Sequence, residues 1–194
     1  ADVRPDGPLV WIHGASVGEV LAAAALIERL RGLNLRILLT SGTVTSAAIV
    51  AKRFPPDVIH QYVPYDSPRY VARFLDHWRP SLALFIESDL WPNLILSSAA
   101  RRLPMVLING RMSHRSFPRW RRVAGTISAL LGRFDVCLAQ SHLDAERFAT
   151  LGCRNVVVTG NLKLDVPAPP ADSNKLDWLV SMTRGRPVIV AAST

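Results

Sequence analysis

Short, nearly continuous apolar runs recur along the chain, and between them lie longer stretches whose apolar positions return every three or four residues. A continuous apolar run suits a strand buried on both faces, and the three-to-four spacing suits a helix that lays one face on a sheet. The pattern predicts strands over 9–13, 35–40, 58–63, 82–87, 105–109, 135–139 and 155–159. Helices are predicted over 18–32, 43–54, 67–78, 91–103, 117–132 and 142–151. In the first helix Val20, Ala23, Ala24, Ile27 and Leu30 make the apolar stripe, while Glu28, Arg29 and Arg31 fall mostly off it. Gly32 is placed to cap that helix, and Ser67 and Ser141 or His142 to begin later ones. Strands and helices in strict alternation imply an α/β fold, a Rossmann-like parallel sheet with helices on both faces.

The alternation stops after Asn161. Pro167, Pro169 and Pro170 suit an extended linker. The expected organisation is a Rossmann-like domain over 1–163, a proline-rich linker over 164–174, and over 175–194 a helix, a turn and a strand that open a second domain. A chain of 194 residues can bury a substantial core without staples. Cys137 and Cys153 lack metal-ligand spacing and read as packing thiols of a reducing compartment. No apolar run approaches the ~20 residues needed to span a bilayer. The chain lacks an initiator Met and a signal-peptide pattern, so it is expected to be part of a longer protein. Trp11, Trp78 and Trp178 are expected in the core or against helices.

Charge changes the picture in one place. Residues 90–134 contain no Asp or Glu but eight arginines, which equals the whole excess of +8. Such a window is either a solvated basic face or a surface for an anionic partner: phosphate, nucleic acid or an acidic membrane. Phe117 and Trp120 interleave with these arginines, which would also suit base stacking or a membrane interface, but no RNA- or DNA-binding motif accompanies them.

In an open parallel sheet, ligands bind beyond the carboxyl ends of the strands. Those ends read HGASVGE, TSGTVTS, PYDSP, ESDLWPN, NGRMSHRS, AQS and TGNLKLD. Gly14, Ser16 and Gly18 would let backbone amides face an anion, yet the spacing matches neither a dinucleotide fingerprint nor a P-loop. No acidic residue follows the second strand to hold a ribose, which disfavours a dinucleotide. Glu19 has two readings: a carboxylate stabilised by about 0.3–1 kcal/mol in the first helical turn, or a general base. Asp89, just before Trp91 and Pro92, reads as a helix cap, whereas Glu87 is harder to explain by capping. His13 is a structural or a functional histidine, and Lys163 meets a phosphate or is solvated.

Taken in order, WIHGASVGE, TSGTVTSA, PYDSP, FIESDLWPN, INGRMSHRS and GNLKLD closely resemble the amino-terminal half of the bacterial 3-deoxy-D-manno-octulosonic acid (Kdo) transferases. The resemblance implies the GT-B architecture of two Rossmann-like domains and transfer of Kdo from CMP-Kdo to the lipid A precursor, lipid IVA. It implies inversion at the anomeric carbon, with no metal and no cofactor. Glu19 would be the base that deprotonates the acceptor hydroxyl, and Glu87 a second active-site residue. His13, Ser16, Gly18, Ser41, Asn109, Arg111, Arg115 and Lys163 would bind substrate. The donor would be held mainly by the second domain, leaving this chain inactive alone. The partners implied are the bis-phosphorylated lipid acceptor and an anionic membrane surface, not nucleic acid, at the cytoplasmic face of the inner membrane. Two rivals remain at this point: a non-catalytic phosphate- or nucleic-acid-binding Rossmann module, and a GT-B transferase using another nucleotide sugar.

Overall fold

The computed structural model describes residues 3–165 and 171–191. The chain runs β1 (Leu9–His13), α1 (Val17–Ala22), α2 (Ala24–Gly32), β2 (Arg36–Ser41), α3 (Val44–Arg53), β3 (Val58–Tyr62), α4 (Pro68–Trp78), β4 (Leu82–Ile86) and α5 (Pro92–Ala100). It continues with β5 (Met105–Gly110), α6 (Ser116–Arg122), α7 (Ala124–Leu131), β6 (Val136–Ala139), α8 (His142–Thr150), β7 (Val156–Val158), a 3-10 turn (Leu162–Asp165) and α9 (Ser173–Thr183). The strands form one parallel sheet in the order β3-β2-β1-β4-β5-β6-β7. The chain winds outward from β1 to β3, then returns across the sheet to β4 and winds the other way. This puts the topological switch point between β1 and β4, where a parallel sheet opens a crevice for ligand.

Alternate residues of each strand feed two cores. Leu9, Trp11, Phe85, Met105, Leu107 and Cys137 face α4, α5, α7 and α8. Val10, Ile12, Ile37, Leu39, Leu84 and Ile86 face α1, α2 and α3. Trp11 is fully buried, with its ring 5.3 Å from Phe85 and 5.1 Å from Phe74. Burial of each such side chain is worth about 1.5–3 kcal/mol, which makes β1 and β4 a rigid floor beneath the switch point. Trp78 is also buried, whereas Trp178 on α9 is exposed, contrary to the sequence expectation. Cys137 and Cys153 are buried free thiols.

The sequence pattern missed several details of termination. The predicted helix over 18–32 breaks into α1 and α2 at Ala23, whose N–H is shared between the carbonyls of Glu19 and Val20. The predicted helix over 117–132 breaks at Val123, where φ −120° and ψ 44° leave the helical region. Gly32 is the last residue of α2 rather than its cap, and the left-handed turn falls on Asn34 at φ 60°, a residue type that tolerates it. Ser141, not His142, caps α8. Asp89 does not cap α5. That helix is capped from the β3–α4 turn by Asp66, whose carboxylate accepts the N–H of Asn93 at 3.2 Å and of Leu94 at 2.8 Å. Residues 187–191 form no strand, since none pairs into the sheet among the described residues. Part of the expected linker, 166–170, lies outside the described residues, while Leu164 and Asp165 are in the 3-10 turn and α9 begins at Ser173. No helix among the described residues is long and apolar enough to cross a membrane.

Candidate active site at the strand switch point

Glu19 stands in the first turn of α1, directly beyond β1. Its carboxylate accepts the Ala15 N–H at 2.8 Å on Oε2 and the Ser16 hydroxyl at 2.8 Å on Oε1. Ser16 is the N-cap, and its Oγ accepts the Glu19 N–H at 3.3 Å, so the two residues cap each other. Gly14 makes this fit: a Cβ there would lie 3.1 Å from Glu19 Cβ and 3.2 Å from Ile86 Cδ1. Gly14 thus fills the space between Glu19 and Ile86 at the end of β4. A carboxylate has about four acceptor positions, and two are occupied. The half-buried group keeps capacity to receive a hydrogen from an incoming hydroxyl.

Glu87 follows β4 in a left-handed conformation, φ 63°, and donates its N–H to the Ile108 carbonyl at 2.9 Å. Asn109, at the end of neighbouring β5, is left-handed too, with φ 54°. Such a conformation costs a residue like Glu of order 1 kcal/mol or more and persists only where surroundings enforce it. The side chains of both residues are held by the 3-10 turn. Lys163 Nζ donates to Glu87 Oε1 at 2.6 Å, and the Leu162 N–H donates to Asn109 Oδ1 at 2.9 Å. Two consecutive residues of the turn are thus latched to two left-handed strand ends, and the turn packs against α1, which bears Glu19. Asn109 is buried and its Nδ2 has no hydrogen-bond partner among the described residues.

Between these elements runs a buried chain of polar groups. Trp11 Nε1–H donates to Thr40 Oγ1 at 2.9 Å, Thr40 Oγ1 lies 2.9 Å from His13 Nδ1, and His13 Nε2 lies 3.3 Å from Asp89 Oδ2. An ionised carboxylate only accepts, so His13 Nε2 carries the hydrogen of that contact. Asp89 also accepts the Trp91 indole N–H at 2.7 Å, which fixes that ring at the rim. Burial opposes ionisation of Asp89, but the hydrogen bonds from His13 and Trp91 prevail and hold its carboxyl below the ordinary range.

The residues assigned to substrate from sequence separate into groups. Glu19, Glu87 and Lys163 come together around the switch point. Ser16 and Gly18 are exposed beside them, the Ser16 hydroxyl being spent on Glu19. His13 does not fit a substrate role: it is 1% exposed, and both ring nitrogens are engaged inside the protein. Ser41 does not fit either, since it is fully buried with its Oγ 2.8 Å from both His60 Nε2 and Ser46 Oγ. Burial pushes the His60 pKa down. Asn109 reaches the 3-10 turn rather than the rim. Arg111 and Arg115 are exposed on the loop after β5. Asp66 and Thr40 went unassigned because their partners are distant in sequence. The basic window also divides in space: Arg111, Arg115, Arg119, Arg121 and Arg122 follow β5, while Arg101, Arg102 and Arg133 lie before the amino ends of β5 and β6. Arg101 is paired with Asp76 at 2.8 Å. Among the described residues no three His, Cys, Asp or Glu side chains gather as a metal site.

Comparison with known proteins accords with this geometry. The family model of the 3-deoxy-D-manno-octulosonic-acid transferases (kdotransferases) matches residues 1–166. A 3-deoxy-D-manno-octulosonic acid transferase of Rickettsia felis is 37% identical over 188 residues, covering 96% of this chain and 40% of the relative. That of Haemophilus influenzae is 35% identical over 190 residues, covering 95% and 44% respectively. Among solved structures, the UDP-GlcNAc 2-epimerase of Neisseria meningitidis bound to UDP-GlcNAc shares the fold at TM-score 0.59 and 13% identity, over 82% of this chain and 48% of that one. The UDP-N-acetylglucosamine 2-epimerase of Rickettsia bellii does so at TM-score 0.58 and 12% identity, over 92% and 49%. At such low identity these two speak for the fold alone. The ordered motifs and the relatives agree, and the chain, spanning about two fifths of the length of those relatives, belongs to the 3-deoxy-D-manno-octulosonic acid transferase family.

Proposed function

We propose that this chain is the acceptor-side unit of an inverting Kdo transferase that moves Kdo from CMP-Kdo to the lipid A precursor. The observation that carries the reading is Glu19: a carboxylate fixed by its own turn at the switch point, with acceptor capacity to spare. In the proposed step the acceptor hydroxyl oxygen bonds to the anomeric carbon of Kdo while that carbon's bond to the CMP phosphate oxygen breaks. The hydroxyl proton passes to Glu19, and CMP leaves with the bonding pair. The Lys163–Glu87 pair shapes the opposite wall of the crevice. Residues 1–163 supply this wall and floor, and the donor is held mainly by the remainder of the full-length protein.

The five arginines after β5, with half-buried Trp120 among them and exposed Val123 just after them, suit a bis-phosphorylated, lipid-borne acceptor on an anionic membrane. A location at the cytoplasmic face of the inner membrane would fit such a partner. The test is to incubate the purified full-length protein with CMP-Kdo and a detergent-dispersed bis-phosphorylated, acylated glucosamine disaccharide, and to follow the product by mass. Addition of Kdo with release of CMP is expected. A folded protein that transfers no Kdo would overturn the reading.

A further inference from the structure

The loop joining β5 to α6 carries two of the exposed arginines and is held in an unusual way. At its start, Gly110 has no room for a side chain: a Cβ would lie 3.0 Å from Phe148 Cε2 and 3.1 Å from Cys137 Sγ. Two residues on, Met112 is gripped by both of its backbone polar groups. Its N–H donates to Asp144 Oδ1 at 2.8 Å, and its carbonyl accepts from Arg147 Nη1 at 2.7 Å. The other Asp144 oxygen accepts the Ser141 hydroxyl at 2.5 Å, while Ser141 Oγ accepts the Asp144 N–H at 3.1 Å. The Arg147 guanidinium also lies 5.6 Å from the centre of the Phe117 ring in the first turn of α6, and Arg121 lies 5.9 Å from it.

Asp144 and Arg147 are each only 9% exposed, and neither is in an ion pair among the described residues. Charges taken out of water are costly unless hydrogen bonds compensate them, and here each of the two directs one such bond at the backbone of the same residue. The consequence falls on Arg111, whose backbone is fixed on one side by close-packed Gly110 and on the other by clamped Met112. Its side chain is exposed, two residues along the chain from Asn109, which bonds the 3-10 turn. A backbone fixed on both sides gives the guanidinium a defined origin from which to meet a doubly charged oxyanion.

We infer that Asp144 and Arg147 are positioning residues, which act through the Met112 backbone to aim Arg111 at a phosphate of the acceptor. This rests on the proposed function for the identity of the ligand, though not for the clamp.

The experiment is a mutant cycle in the full-length protein, comparing Arg111→Ala, Arg147→Met and the double variant. Two readouts are used: steady-state transfer, and equilibrium binding of a bis-phosphorylated glucosamine disaccharide without donor. Arg147→Met is expected to weaken binding and raise the acceptor KM about tenfold, with kcat changed by less than about threefold. The double variant should be no weaker than Arg111→Ala alone, because residues acting through one another do not add. Multiplied losses in the double variant, or a fall in kcat at constant KM, would overturn the inference. Arg147→Lys, which keeps the charge and loses the planar fork, carries the same test if Arg147→Met folds poorly. Its smaller shift, about threefold, should vanish in the Arg111→Ala background, and persistence there counts against the clamp. A protein that transfers no Kdo refutes the proposed function, and the binding cycle still decides the inference.

Discussion

The turns after β1 and β4 face each other across the switch point and each presents a glutamate, but they hold it by opposite means. Glu19 is fixed by residues three and four positions away, through a capping arrangement closed within one turn of chain. Glu87 is fixed by Lys163, 76 residues away, in a backbone conformation that a glutamate adopts at a cost. The first carboxylate keeps its geometry wherever β1 meets α1. The second depends on the chain having finished β7 and returned to the middle of the sheet. A locally built group suits proton transfer, which needs a carboxylate in place before substrate arrives. A group built at long range suits reporting that the crevice is assembled.

Variants sharpen that contrast. Glu19→Ala removes both the proposed base and the partner of the Ser16 cap, so in the full-length protein kcat should fall about 10³- to 10⁴-fold, with a stability loss of about 1 kcal/mol or less in thermal or urea unfolding. Lys163→Met should lower kcat/KM about a hundredfold by releasing Glu87 and the turn against α1. Because the pair is partly exposed, unfolding free energy should change by no more than about 1 kcal/mol. If Lys163→Met were as inactive as Glu19→Ala, the division of labour between the two turns would be wrong. Gly14→Ala introduces a methyl group 3.1 Å from Glu19 Cβ. It should displace the carboxylate and reduce kcat roughly tenfold, for about 1–2 kcal/mol of stability. A Gly14→Ala enzyme with native kcat would show that the position of Glu19 is not critical.

The smallest effect concerns Asp89, the partner of His13. Its carboxyl titrates below the ordinary 3.8 in the folded protein, so folding favours the ionised form. The resulting stabilisation is complete above 3.8 and is lost as pH falls from there through the folded value. Asp89→Asn should therefore flatten the loss of stability as pH falls below 3.8. An acid limb as steep as that of the native protein would show that Asp89 gains nothing from His13 and Trp91.

The same distinction explains what could be read from the sequence. Strand positions, the parallel sheet and the place of Glu19 in the first turn of a helix are encoded by neighbours, so periodicity and spacing reveal them. His13 and Ser41 looked like rim residues because they end strands, but their partners Asp89 and His60 lie 76 and 19 residues away and draw them inside. Asp89 looked like a cap for α5 because nothing local betrays Asp66, which reaches that helix from 28 residues earlier. The block of arginines was legible as charge, yet only the path of β5 assigns five of them to one side and three to the other. A family resemblance named Glu87 and Lys163 separately, and the contact between them needed the fold.

The most direct test of the central claim is the single-turnover rate of the full-length Glu19→Gln protein with bound CMP-Kdo and acceptor. Glutamine can still accept from Ala15 N–H and close the cap with Ser16, but it cannot take the proton. The account predicts native thermal stability with a rate reduced at least about a thousandfold. A Glu19→Gln protein that transfers Kdo at nearly the native rate would leave Glu19 a helix cap and contradict its role as the base.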